Sequence, residues 1–304
     1  MDGSLRPQTL DEYVGQPQMV RRLRIAIRAA QERNESLPHI LFHGGPGLGK
    51  TTIAGVIANE MGEKLVSASA PAVRDREEMW HLVGGLHRGE MLFIDEIHRL
   101  SAPLQEFLYP VMEDFTIDRM LDLEDGKQTF RFDLPKFTLL AATTHAGALS
   151  APLRDRFGMI CRVEYYSAEE LARIVQRSAG ILRMQLAEPD TLQIAKRSRC
   201  TPRVANRLLQ RVRDYALVHA GGEVNTEVVE ATLELEGIDA DGLDDLDRRY
   251  LDVLKRLYKG GPAGVEALAA SLDESVETLV DMVEPYLIQR ELIVRTPRGR
   301  KAIQ

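Results

Sequence analysis

The sequence predicts an α/β chain: a parallel sheet wrapped by helices, then a small helical bundle, then three helices closed by a short hairpin. Three observations carry this. Short apolar strands alternate with helical patterns as far as about residue 164, the signature of a sheet covered on both faces. A glycine-rich stretch, residues 44–51, lies between the first such strand and a helix. After Tyr165-Tyr166 the strand pattern stops and helical periodicity takes over.

Each element follows in order. His39-Ile40-Leu41-Phe42 reads as the first buried strand, and the helix after the glycine-rich turn covers about 51–61. Met91-Leu92-Phe93-Ile94 is a second strand and 137–142 (FTLLAA) a third. Between them, 116–123 and 128–132 flank Glu124-Asp125-Gly126-Lys127, and an Asp-Gly turn between extended segments predicts a hairpin. Ser167, followed by Glu169 and Glu170, is a capped helix start. Helices are predicted over 168–182, 188–199, 202–218 and 225–235. The Asp- and Gly-rich run 238–247 reads as a linker. Beyond it, Leu246, Tyr250, Leu251, Leu254 and Leu257 form one amphipathic face, and helices follow near 264–272 and 275–288. Pro297 and Gly299 then turn a short extended segment, which completes the pattern of a winged helix.

Composition narrows the class. The 304 residues suit two or three domains, and 44% hydrophobic with 28% charged residues excludes disordered and collagen-like chains. No apolar run approaches the ~18 residues of a membrane span, and the N-terminal MDGSLRPQTL lacks a signal-peptide profile, so a cytoplasmic location without membrane attachment is expected. Cys161 and Cys200 have no partner at metal-ligand spacing, which argues against disulfide scaffolds and zinc sites. The net charge of −7 conceals local structure. Residues 290–301 (RELIVRTPRGRK) hold five Arg/Lys against one Glu, and local patches decide nucleic-acid contact. Such a cluster also fits a merely solvated face.

The strongest motif is Gly44-Gly45-Pro46-Gly47-Leu48-Gly49-Lys50-Thr51, which fits G-x-x-x-x-G-K-[ST] in the strand–turn–helix context of a P-loop. Glycines let backbone N–H groups face phosphate oxygens at a helix N-terminus. Lys50 would pair with the β- and γ-phosphates of ATP, and the Thr51 hydroxyl would ligate Mg²⁺. About 40 residues on, a strand runs into Asp95-Glu96. Asp95 would hold Mg²⁺ through water and Glu96 would orient the attacking water. Thr143-Thr144 ends the third strand and could bring a hydroxyl to the γ-phosphate; a pair merely capping the strand is the alternative.

With these pieces placed, the chain resembles the AAA+ ATPases and, within them, the RuvB family of bacterial Holliday-junction branch-migration motors. The matching segments are LRPQTLDEYVGQ (5–16), GGPGLGKTT (44–52), ANEMG (58–62), LFIDEIHRL (92–100), LYPVMEDF (108–115), LSAPLRDRFG (149–158), TPRVANRLLQRVRD (201–214) and EPYLIQ…RTPRGR (284–300). They cover nearly the whole chain in order. The resemblance implies an AAA+ P-loop domain over 1–166, a helical lid over 167–237 and a winged-helix head over 238–304. It implies that Leu5, Arg6, Tyr13 and Val14 line an adenine pocket, that Gly47, Gly49, Lys50, Thr51 and Thr52 bind phosphates and Mg²⁺, and that Glu113, Asp114, Phe115 and Tyr166 border the nucleotide. Arg203 matches the lid arginine that senses it. Arg156 matches the arginine that enters a neighbouring subunit's site, where it compensates transition-state charge. Arg295 and Arg300 match DNA-contacting positions.

The implied activity is ATP hydrolysis that drives duplex DNA through four-way junctions in recombination, repair and the SOS response. The implied assembly is a homohexameric ring, with the partner RuvA docked on hairpin 116–133 and the nuclease RuvC in the larger complex. On pattern alone that hairpin could equally pack on its own domain. Gly45, His145 and Cys200 depart from the family's Pro, Arg and Gly. The other histidines, His98 included, read as packing or surface residues. A clamp-loader-type switch predicts a helical collar instead of the terminal hairpin, and a DNA-binding regulator that uses ATP only as ligand needs neither Glu96 nor Arg156.

Overall fold

The computed structural model describes residues 5–123 and 126–303, with side chains described outside 121–127. The chain divides into two compact units, Met1–Tyr165 and Tyr166–Gln304.

In chain order the first unit contains α1 (Pro17–Arg33), β1 (Ile40–His43), α2 (Lys50–Met61), β2 (Leu65–Ser69), α3 (Arg76–Gly84), β3 (Met91–Asp95), α4 (Ala102–Glu113), β4 (Thr116–Leu123), β5 (Gly126–Asp133), β6 (Thr138–Thr143), α5 (Ala151–Asp155) and β7 (Met159–Arg162). Five strands form a parallel sheet in the order β2-β3-β6-β1-β7, with Phe42 level with Ala142 and Cys161. The three inner strands are apolar on both faces because helices cover both, which is why they were legible as continuous apolar runs. The outer strands β2 and β7 are only partly buried and mix polar residues in, so the sequence pattern did not mark them.

Because every strand is parallel, one edge of the sheet collects all the C-terminal ends. His43, Asp95 and Thr143 lie there, where α/β folds bind ligands. The opposite edge carries the strand starts, with His39 and Phe137 immediately before β1 and β6. Phe115 meets both of these rings, tilted against His39 and edge-on to Phe137, at centroid distances of 5.8 Å.

Strands β4 and β5 pair antiparallel, as the hairpin pattern predicts; the turn residues Glu124 and Asp125 lie outside the described residues. At its base Ile117 is buried, and Phe132 meets Trp80 of α3 edge-on at 5.2 Å. Arg119 lies over the same indole and pairs with Glu77. The base is therefore packed on its own domain, whereas Met120 is 63% exposed. Leu121 and Leu123, which the period places with Ile117, lie outside the described side chains.

The second unit opens with α6 (Ala168–Ile181), started by a reciprocal Ser167–Glu170 capping box. Then follow α7 (Glu188–Lys196), α8 (Pro202–His219) and α9 (Thr226–Leu235). After the Asp/Gly-rich linker come α10 (Asp245–Arg256), α11 (Val265–Leu272), α12 (Val276–Thr278), α13 (Glu284–Gln289), β8 (Ile293–Thr296) and β9 (Gly299–Ala302). Residues 279–283 are π-helical and join α12 to α13 into one rod with a bulge. Strands β8 and β9 form an antiparallel ribbon, with Ala263 bridging to Arg300. Gly299 permits this approach, since a Cβ there would lie 2.3 Å from the Ala263 carbonyl oxygen. Tyr250, Leu254, Leu268, Leu279, Leu287 and Ile293 pack as its core.

Candidate functional site

The residues 44–49 turn from β1 into α2 with Gly44, Gly47 and Gly49 at φ +149°, +77° and +96°, values that favour glycine. At Gly44 a Cβ would meet the Val163 carbonyl oxygen at 2.3 Å, so the loop entry lies hard against the end of β7. At Gly45 it would meet the Tyr165 hydroxyl at 2.9 Å; the missing family proline and this tyrosine thus share one small space. Lys50 is buried, and its Nζ donates to the Gly44 and Gly45 carbonyls, 2.9 Å each. An ammonium arched over its own loop is poised for phosphate oxygens. Thr51 and Thr52 follow in the first turn of α2.

Two strands away, Asp95 ends β3 and its Oδ1 accepts from the Glu96 N–H at 3.0 Å. Glu96 stands in the left-handed region at φ +51°. Its Oε2 accepts from the Thr144 hydroxyl at 3.0 Å and the Thr144 N–H at 3.3 Å. The sheet order explains this meeting, because β3 and β6 are neighbours and the two residues leave the same edge. The Glu96 Oε1 has no hydrogen-bond partner among the described residues.

His98 is the residue sequence reasoning missed. Its Nδ1 lies 3.1 Å from Glu96 Oε2 and 3.0 Å from Thr143 Oγ1, and its ring lies 5.1 Å from that of His145. Burial, opposed by the Glu96 charge, holds its pKa below the usual histidine value. It stands as a neutral ring against the Glu96 carboxylate, hydrogen-bonded to the Thr143 hydroxyl, and is not a mere packing residue. Its position two residues past Glu96, in a single 3₁₀ turn, was the available signal.

The N-terminal segment is fastened at the same edge. Gln16 donates its Nε2 to the Glu164 carbonyl at 2.8 Å and accepts the Glu164 N–H at 3.0 Å. That brings Tyr13 and Val14 beside the end of β7; Leu5 and Tyr13 are buried and Arg6 is exposed.

Glu113, Asp114 and Phe115 stand apart from the P-loop edge. They end α4 at the edge of strand starts, as the Phe115 contacts with His39 and Phe137 show, and so lie across the sheet from Lys50. They cannot border this chain's own nucleotide. Arg156 shares that edge: its Nη2 pairs with Glu113 at 2.7 Å, its Nη1 donates to the Pro152 carbonyl at 2.8 Å, and its guanidinium covers the Tyr109 ring at 4.6 Å. In the second unit, Tyr166 is buried and donates its N–H to the Cys200 carbonyl, while Arg203 is exposed in the first turn of α8. Arg199 and Cys200 both adopt left-handed φ just before that helix, so the turn survives without the family's glycine.

On the terminal ribbon Arg295 and Arg300 are directly opposite one another and both turn inward to Glu284, with Lys301 on the other face. They are not a loose solvated cluster.

Against known proteins, three family models match in succession: the Holliday junction DNA helicase RuvB P-loop domain over residues 5–163, the RuvB AAA lid domain over 166–239 and the RuvB C-terminal winged helix domain over 240–304. The curated Holliday junction branch migration complex subunit RuvB of Desulfosudis oleivorans is 50% identical over 301 residues, covering 99% of this chain and 88% of the relative. The solved Thermotoga maritima RuvB Holliday junction branch migration motor is 42% identical with a TM-score of 0.88, covering 99% of this chain and 96% of its own. A variant of the same protein gives 43% and 0.89 over the same shares. The chain belongs to the RuvB family, and its first unit is a nucleotide-binding AAA+ ATPase domain. Among the described residues no helix is long and apolar enough to cross a membrane.

Proposed function

We propose that this RuvB-family chain hydrolyses ATP within a ring, probing no base sequence, and uses the energy to drive branch migration of Holliday junctions. One observation carries the ring: Lys50 and Arg156 stand at opposite edges of the sheet, so a single chain holds two halves of a site and completes neither. Lys50, with Gly47, Gly49, Thr51 and Thr52, binds the phosphates. Glu96 presents its Oε1 to the attacking water, while Thr144 holds the other oxygen, with the His98 ring beside it. Arg156, with Glu113, Asp114 and Phe115, faces the neighbouring subunit's nucleotide and compensates charge as the terminal phosphoryl leaves. Leu5, Arg6, Tyr13 and Val14 take the adenine; for Tyr166 and Arg203 the family resemblance alone supports a nucleotide role.

Mg²⁺ fits the donors present. No group of three or more His, Cys, Asp or Glu that could hold a metal occurs among the described residues. One hydroxyl (Thr51) and one strand-end carboxylate (Asp95) suit an ion that keeps several waters and takes its remaining ligands from substrate phosphates. When bound it neutralises phosphate charge.

The finer assembly is a homohexamer in the cytoplasm, with RuvA on the outer part of hairpin 116–133 and RuvC in the larger complex. Support for the docking arm is that Met120 stays exposed beyond a base already fixed on α3. The test is ATPase activity with and without four-way-junction DNA. Lys50→Ala should lose ATP binding, and Glu96→Gln should bind ATP and stall before hydrolysis, since one group meets ground-state phosphates and the other the attacking water. Normal turnover by Glu96→Gln would sink the assignment.

A further inference from the structure

Two arginines directly opposite on a two-stranded ribbon repel one another. Arg295 and Arg300 are such a pair, yet their side chains are only 45% and 18% exposed and converge on one carboxylate with no exposed surface, Glu284. Its Oε2 accepts from Arg295 Nε at 2.6 Å and Arg300 Nη2 at 3.3 Å. Its Oε1 accepts from Arg300 Nε at 2.8 Å and from the buried Tyr250 hydroxyl at 3.1 Å. Four donors fill the roughly four acceptor sites of a carboxylate.

The backbone beneath Glu284 is just as specific. Pro285 has no N–H, so it cannot close a helical bond, and the preceding residues 279–283 relax into a π turn. The Glu284 N–H consequently reaches back to the Leu279 carbonyl rather than to that of Val280. The Val280 carbonyl thereby loses its helical donor, and Arg295 Nη2 supplies one at 3.3 Å. One proline therefore creates the second acceptor that fixes Arg295.

We propose that Glu284, with the Val280 carbonyl freed by the π turn, positions Arg295 and Arg300 to grip two phosphates of the DNA backbone. This rests on the reading of the ribbon as a DNA contact. Nε and Nη2 of each guanidinium are occupied inward, whereas the Nη1 groups have no partner among the described residues and remain for a ligand. Two arginines and one carboxylate keep a net positive charge, and the carboxylate is out of reach of DNA. Both side chains are ordered before binding, which removes a cost that a mobile arginine would meet on contact. A motor that grips any sequence needs fixed phosphate donors and no base readers. Glu284 is a positioning residue here; it touches no DNA.

The sign of one measurement separates this from simple electrostatics. Glu284→Gln makes the ribbon more basic, so charge alone predicts tighter DNA binding. Positioning predicts weaker binding, by about fivefold to tenfold, because the amide turns a donor toward one of the arginines. The salt dependence should keep its slope, since the contacts remain, whereas Arg295→Ala and Arg300→Ala should each weaken binding and lower the slope by about 1. Pro285→Ala restores an N–H without changing charge and should weaken binding about twofold to threefold. Tyr250→Phe removes a Glu284 bond without touching either arginine; it should lower the melting temperature and leave DNA affinity unchanged.

The assay uses the full chain on two unrelated linear duplexes across a salt series, with melting curves for each variant. Equal or tighter binding by Glu284→Gln, while both arginine variants weaken, overturns the role of Glu284 alone. Wild-type binding by both arginine variants withdraws the DNA reading of the ribbon, and Glu284's role with it. Should Glu284→Gln fail to fold, Pro285→Ala and Tyr250→Phe decide: equal affinities for those two overturn the proposal.

Discussion

Arg156→Ala is the perturbation that bears most directly on how the site is built. The guanidinium sits with Glu113 at the edge of strand starts, and the P-loop begins after His43 at the other edge. The four residues of β1 span about 13 Å at roughly 3.3 Å per residue. An arginine reaches only about 7 Å from its Cα, as bond lengths near 1.5 Å allow. Arg156 therefore cannot touch the phosphates held by its own Lys50. Within its own chain it forms a partly exposed pair with Glu113 and covers Tyr109, contacts worth about 1 kcal/mol together. The variant should fold and bind ATP almost normally, yet lose about a thousandfold in hydrolysis, the scale of a missing arginine finger. Mixing gives a sharper number. In an equal random mixture of Arg156→Ala and Lys50→Ala chains, half the pockets and half the fingers are intact. About a quarter of interfaces then join an intact pocket to an intact finger, whatever the ring size. Steady-state ATPase across a titration of mixing ratios should peak near about a quarter of the wild-type rate. No recovery, in rings shown by mass to be mixed, would refute action across the interface.

The hairpin and the buried ionisable groups supply two more tests. Met120→Ser with Phe130→Ser should weaken association with RuvA and leave DNA-free ATPase unchanged, because the packed base (Ile117, Phe132, Trp80) is untouched; a fall in melting temperature would favour a purely structural hairpin. Burial pushes the Asp247 carboxyl from 3.8 up to about 6, with Asp244 adding to the rise and Arg199 opposing it. Between those values the folded chain binds the extra proton, so this group's contribution falls as pH rises through the window. Relative to Asp247→Asn, wild-type urea stability should drop by up to about 3 kcal/mol from about pH 4 to about pH 7. A constant difference would mean that the Arg199 pair and the Asp244 N–H offset the effect of burial. His39, His43 and His98 act in the opposite direction: each titrates below its ordinary 6.5 when folded, so acidification below that value favours the unfolded chain.

Much of this was legible in the residues themselves. The inner strands and the helices after Ser167 appear within a few residues of their predicted limits, since continuous apolar runs and helical stripes report burial directly. The predicted helix over 275–288 is present, but its π turn is not a matter of periodicity: it follows from Pro285, a missing donor in the middle of an otherwise helical stripe. Edge strands β2 and β7 escaped because half-buried, polar-mixed segments of four or five residues resemble loops. The places of Lys50 and Glu96, at the start of α2 and just past β3, could be read from motif and strand context. The placement of Glu113–Phe115 could not, because a segment implied to border a nucleotide does not say whose nucleotide; only the direction of β1 relative to α4 decides that.

The basic ribbon shows why charge counting stops short of a mechanism. Five cationic residues in twelve could be a solvated face, and nothing in residues 290–301 themselves argues otherwise. What distinguishes them is a residue outside the run. Glu284 lies six positions before it, on a helix. The structure gives it no exposed surface and four donors, three of them from two arginines on a ribbon whose register puts Arg295 opposite Arg300. A buried carboxylate is costly unless fully bonded, and removing its partners would leave an uncompensated charge. The ribbon and the helix are therefore bound into one polar unit, in which the acid that lowers the net charge is also what holds the two arginines still.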